Sequence, residues 1–163
     1  MLVEVLQRMA RVNRDKALAL AAAAATALSP AGCTSEDEAT VPVSCKEGPG
    51  PVRAALARAP ARVELGGTPL SECLTRGSNG ADLQLVGASY LSVAMRLADA
   101  ARARPDGPEA LQLGYLIGAI RRGAARTQGI HDEMIRRIEQ ELAGISTSTD
   151  SYRRGYEAGR SRG

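Results

Sequence analysis

The 163-residue chain has no phenylalanine, no tryptophan and one histidine. A core made without the two largest apolar rings must come from Leu, Ile, Val, Met and Ala, with Tyr90, Tyr115, Tyr152 and Tyr156 as its only aromatic side chains. Such a core buries less area per residue, so its elements have to approach closely. Long apolar runs are also missing. A bilayer span needs about 20 predominantly apolar residues, and the longest apolar stretch, Ala17 to Leu28, is shorter and mostly alanine. There is no C-x-x-C, which removes the zinc-ribbon and thioredoxin-like readings. No P-loop or dinucleotide-binding glycine pattern occurs. Gly87-Ala88-Ser89 lacks the following x-G of a nucleophile elbow, and no carboxylate pair stands out for acid–base work.

The lone histidine, His131, lies in a His-Asp-Glu run with Asp132 and Glu133. Consecutive helical residues point in different directions, whereas a zinc site needs three or four convergent ligands. Asp132 and Glu133 precede Arg136 and Arg137 by four residues, the favourable order for helix ion pairs. The run is read as a charged helix face. No metal, no cofactor and no enzymatic activity are expected.

What is present at the start is an address. Arg8, Arg11, Arg14 and Lys16 lead into the apolar run, which ends at Ser29-Pro30-Ala31-Gly32-Cys33. A basic segment followed by a short apolar stretch and small residues is the layout of a secretory signal. Translation starts at Met1 or at Met9, since residues 9–16 alone make a complete basic leader. The end of the segment resembles the lipobox of bacterial lipoproteins, with Ala31, Gly32 and Cys33 on its last three positions and Pro30 at the position before them. The resemblance covers residues 9–33. It implies that residues 1–32 are a cleaved signal peptide and that Cys33 becomes a lipidated N-terminus on the outer face of the cell membrane. One acyl chain holds a protein marginally and two hold it stably; a lipoprotein cysteine carries at least two. Cleavage after Ala31, giving a secreted protein, is the competing expectation.

The lipobox resemblance settles the odd cysteine count. With Cys33 lipidated, Cys45 and Cys73 remain as a candidate disulfide in an oxidising compartment. Two buried thiols are the alternative.

Removal of the leader changes the charge. Four of the 21 basic and two of the 18 acidic residues fall in residues 1–32, leaving 17 against 16, a net of +1. Nucleic-acid binding needs a strongly basic face, so a nucleic-acid partner is not expected.

Residues 33–50 are polar, acidic and Pro/Gly-bearing, and read as a lipidated cysteine followed by a flexible tether. Residues 51–145 read as the helical domain. Pro51 opens a short helix that Pro60 ends. Residues 62–65 form a short extended piece before the Gly66-Gly67 turn, and Thr68-Pro69 reads as an N-cap and first helical residue of a short helix holding Cys73. Three longer helices follow. The first, from the Ser78-Asn79-Gly80 turn to Arg104, repeats apolar residues at Leu83, Val86, Tyr90, Ala94, Leu97 and Ala101, one helix face. The second starts at Pro108 and Glu109 after a tight break and reaches Thr127. The third, 130–143, carries Ile130, Met134, Ile138 and Leu142 on one side, with Gly144 after its end. Short connections predict an all-α, small up-down three-helix bundle with short N-terminal helices.

Leu111 to Ile120 is apolar apart from Gln112, which predicts a helix buried on most sides. Ala110, Gly114 and Gly118 recur at four-residue spacing, a helix-packing stripe that lets another backbone come close. Packing inside the bundle and a homodimer seam are the two uses of such a stripe.

Residues 146–163 read as a polar, basic C-terminal tail in which a short helix stacks Tyr152 and Tyr156. Arg153, Arg154, Arg160 and Arg162 form a candidate surface for anionic lipid headgroups or an anionic wall polymer; a solvated end is the plainer expectation. The functional reading is a non-catalytic interaction module contacting a protein or envelope component. The alternative is a carrier holding an apolar ligand between helices, near Leu111 and Tyr115. An enzyme with an unrecognised site is third.

Overall fold

A computed structural model describes residues 40–76, 80–127 and 130–163. The expected signal segment, Cys33 and the first part of the expected tether lie outside the described residues. The described part is all-α, with one very short hairpin. In order it contains a 3-10 turn, Val43–Lys46; helix α1, Pro49–Leu56; strands β1, Glu64–Leu65, and β2, Thr68–Pro69; and helices α2, Leu70–Thr75, α3, Gly80–Ala103, α4, Pro108–Ala124, α5, Ile130–Glu141, and α6, Asp150–Arg162. None of the helices among the described residues is long and apolar enough to cross a membrane.

The domain begins earlier than the composition of residues 33–50 predicts. Val41 is buried, Cys45 is fully buried, and α1 opens at Pro49 rather than at Pro51. Cys45 is joined to Cys73 of α2 by a disulfide, Cα to Cα 5.7 Å. Lys46 Nζ bonds Asp82 at the start of α3 over 2.9 Å, and the Ser44 hydroxyl donates to the Leu65 carbonyl over 3.0 Å. These long-range ties hold the segment after residue 40 against the helices.

Gly66 and Gly67 both have positive φ, +55° and +83°. Two left-handed residues close a two-residue hairpin whose twist matches its strands, here pairing Glu64 with Pro69 and Leu65 with Thr68. The ladder takes up Thr68 and Pro69, so α2 opens one residue later than expected, at Leu70, with no side-chain cap.

α4 is the central element. From Leu113 to Ile120 every residue is buried, as expected of a helix apolar all round. α2, α3 and α6 all pack against it. On α3 the buried residues Val86, Tyr90, Ala94, Leu97 and Ala101 keep the helical spacing of the sequence, while Leu83 is only half-buried. The polar ends of two tyrosines are satisfied inside. Tyr90 Oη donates to the Leu70 carbonyl over 2.8 Å, and Tyr115 Oη accepts from Val63 N–H over 3.0 Å.

The C-terminal segment departs most from expectation. It forms α6, which packs on α4 more extensively than any other helix does, with Ser151, Tyr152, Gly155, Ala158 and Gly159 buried. Its basic residues point outward, and its small residues face the core. Both ends are fixed. Thr149 caps the helix by accepting from Tyr152 N–H over 3.3 Å while its hydroxyl donates to the Pro105 carbonyl over 3.0 Å. Ser151 Oγ donates to the Asp106 carbonyl over 2.8 Å. At the other end Ser71 Oγ donates to the Gly163 carbonyl over 2.5 Å, and the Arg122 guanidinium donates to the carbonyls of Arg160 and Ser161.

Candidate functional sites

The stripe at 110–118 is used inside the molecule. A Cβ placed at Gly114 would collide with the Tyr152 carbonyl, and one at Gly118 with the Tyr156 carbonyl. Conversely, Cβ atoms at Gly155 and Gly159 would strike the carbonyls of Leu111 and Tyr115. The residue pairs rise together along the two helices, so α4 and α6 run parallel. Two facing glycine rows bring the backbones into direct contact, where close carbonyls and Cα–H groups add weak attraction. Ala110 is buried at the start of the same row. Tyr115 is fully buried in this packed interior; burial pushes its hydroxyl pKa up, opposed by its bond to Val63 N–H and by Arg162, Arg62 and Arg122.

Two openings lie elsewhere. The first is a groove of about 410 Å³ between α3 and α5, walled by Leu83, Gly87, Leu91 and Met134, with Glu133 and Arg137 at its rim. It follows from the glycine at 87: a Cβ there would lie 3.1 Å from the Met134 sulfur, so only a hydrogen keeps this wall low. Leu85 and Met95 of α3 are 54% and 43% exposed but lie outside the groove's lining. From Gly80 to Leu91 the groove runs about 16 Å along α3 at the usual helical rise. Glu133 is held below the ordinary carboxylate range by hydrogen bonds from Arg136 and Arg137. That matches the charged helix face read from the sequence. The His131 and Asp132 side chains lie outside the described set.

The second opening, of about 630 Å³, lies between α4, α5 and α6. Ile117, Leu142 and Ile145 make its apolar part, with Tyr152 and Tyr156 beside them. The two tyrosine rings are stacked, centroids 6.3 Å apart and 13° from coplanar. Arg121, Glu139, Arg153 and Glu157 ring the mouth, and Arg121 is paired with Glu139. The Tyr152 hydroxyl pKa is pushed up to about 12, chiefly by burial and then by Tyr156, against a small opposing effect of Arg121.

The four tail arginines are not brought to one point. Arg153 pairs with Asp150 over 2.6 Å. Arg154 and Arg160 are exposed on the outward side of α6, and Arg162 lies near the Tyr115 hydroxyl. Among the described residues no three His, Cys, Asp or Glu side chains converge on a possible metal position. The sequence reading missed both openings. Gly80, Leu83, Gly87 and Leu91, spaced by three or four residues beside the buried face of α3, were the available signal for the first, and the Tyr152/Tyr156 spacing for the second. Comparison of the chain with known protein families, with functionally described proteins and with solved structures finds no match in any of the three.

Proposed function

We propose that the chain is an exported, lipid-anchored helical interaction module on the outer face of the cell membrane, and that its α3–α5 groove receives an amphipathic helix of another envelope protein. The basic leader, the short apolar run and Cys33 support the address. The groove supports the activity and is the observation that carries it. In this reading α3, α4 and α5 serve as an up-down bundle, with α6 locked on its back.

The occupant follows from the shape. An open groove of about 16 Å offers three turns of helix, enough for anchors at i, i+3/i+4 and i+7 of a partner helix. Met134 provides a flexible, polarisable contact that adapts to a docked surface. Glu133 and Arg137 give the rim both charges. An open apolar groove of this kind marks an interaction surface more often than plain solvent. Arg154 and Arg160, outward on α6, supply contacts to anionic headgroups or wall polymer. The second reading is a carrier, favoured by the groove's volume, which lies in the range of small-molecule sites.

A photo-crosslinking residue at Ala88, in cells producing the full chain, should give one discrete protein adduct, absent with the probe at Arg154. Leu83→Glu, in the groove wall, should remove the adduct without changing the melting temperature. Equal labelling from both positions, or an adduct that survives the charge, overturns the docking reading. An apolar small molecule co-purifying with the chain and displaced by Leu83→Glu selects the carrier. Intact-mass analysis of the membrane fraction tests the anchor separately: residues 1–32 should be gone and Cys33 acylated.

A further inference from the structure

We propose that the cleft between α4, α5 and α6 is a saccharide-binding site, taking one face of a neutral pyranose ring on Tyr156. The inference is independent of the docking groove and of where the chain resides. Volume alone admits many ligands, since about 630 Å³ is ordinary for a small-molecule site. The lining narrows the class. Tyr152 is almost fully buried and stacked on Tyr156. It therefore fixes the plane of the more exposed ring, and a fixed ring binds at low entropic cost. Ile117, Leu142 and Ile145 extend this apolar surface.

Charge narrows it further. The mouth carries two arginines and two glutamates, so it favours neither net anions nor net cations. Arg121 is already paired with Glu139, and Arg153 with Asp150. An ionic ligand would have to displace these partners. A neutral hydroxyl would not, because a paired guanidinium keeps spare N–H donors and a paired carboxylate keeps spare lone pairs. An acyl chain would bury the same charges without hydrogen bonds, which is unfavourable. A ligand with one C–H-rich face and a rim of groups that both donate and accept is what remains, and a pyranose has that form. Thr147 and Glu157 lie where such a rim would meet the protein.

The test is a titration of the isotope-labelled full chain with cellotetraose and, separately, chitotetraose, followed by amide chemical shifts. The two probes separate a plain hexose from an N-acetylated one. At least one should shift the amides of Leu142, Thr147 and Tyr156 along a saturable curve with Kd about 1 mM or tighter. Tyr156→Leu should weaken binding about tenfold, the size of a lost aromatic contact, while Tyr156→Phe and Arg96→Ala, the latter exposed on α3 away from the cleft, leave it within about twofold of the parent. Should Tyr156→Leu fail to fold, Glu157→Ala decides, with an expected loss of about threefold or more. The proposal is overturned if neither saccharide saturates, if the deciding variant binds like the parent, or if only a zwitterionic dipeptide or inorganic phosphate titrates the cleft.

Discussion

Gly155 rests directly on the backbone of Leu111, so close that a methyl group in place of its hydrogen would collide with the Leu111 carbonyl oxygen. The same holds, in register, for Gly159 on Tyr115 and for Gly114 and Gly118 on α6. Alanine is normally the better helix former by about 1 kcal/mol. Here the backbone contact outweighs it. Gly155→Ala is expected to lower the unfolding free energy by about 2–3 kcal/mol, the cost of overpacking a tight interior. Gly80→Ala, at the first residue of α3 with open space around it, should be neutral or stabilise by about 0.5 kcal/mol. Urea unfolding of the two variants checks the sign of each, and equal midpoints would remove the seam from the account.

The disulfide makes a second expectation. Cys45 and Cys73 are 28 residues apart in sequence and both fully buried. In the chain-entropy model a closed loop of this length stabilises by about 3 kcal/mol. Cys45→Ser with Cys73→Ser should lower stability by about that amount. Because neither sulfur meets solvent, dithiothreitol should leave the bond intact in native buffer and cleave it quickly in denaturant, as read by thiol labelling and mass.

The far end of α6 depends on two side chains from other helices. Arg122 holds the carbonyls of Arg160 and Ser161, and Ser71 holds that of Gly163. Ser71→Ala leaves a buried acceptor without its donor, expected to cost about 1–2 kcal/mol. Arg122→Met keeps much of the side-chain volume and should cost about 1–3 kcal/mol, the range for a charge-assisted bond. Hydrogen exchange should quicken in the last turn of α6 in both variants while α3 stays protected.

Alkaline pH should unfold the domain. Burial raises the hydroxyl pKa of Tyr90, Tyr115 and Tyr152, the last to about 12, above the ordinary tyrosine value of 10.0. Above pH 10 the unfolded chain releases these protons while the folded chain retains them, so stability falls as pH rises. For Tyr152 this contribution is complete below about pH 10 and is lost as pH climbs through about 12. Tyrosinate absorbance should therefore rise together with the loss of helical circular dichroism. Early, independent titration of all four tyrosines would contradict the burial described.

The helical class, the positions of α3 and α4, the Gly66-Gly67 turn and the Cys45–Cys73 pair were legible because each rests on local chemistry: spacing of apolar residues, proline at helix starts, glycine in turns, and thiol parity. The docking of α6 was not. Arg153, Arg154, Arg160 and Arg162 dominate that segment's composition and suggest solvent. The counter-signal was Ser151, Gly155, Gly159 and Gly163, small residues at four-residue spacing that repeat the pattern of Ala110, Gly114 and Gly118. One such row is ambiguous, whereas two rows in one chain point to each other. The start of the domain was obscured in a similar way, because Val41 and Cys45 are isolated apolar residues in a polar stretch. The clefts depend on how α5 leans on its neighbours, and no single-helix periodicity encodes that.

The parallel seam divides α6 into halves that answer to different demands. Along one side a single added carbon disrupts the fold, so substitution there is closed to change. Along the other, residues 153, 154, 157 and 160 are exposed. A surface so insulated from the architecture beneath it can exchange charge, size or hydrogen-bonding character freely, and recognition can be retuned there without the molecule having to refold around the new side chains.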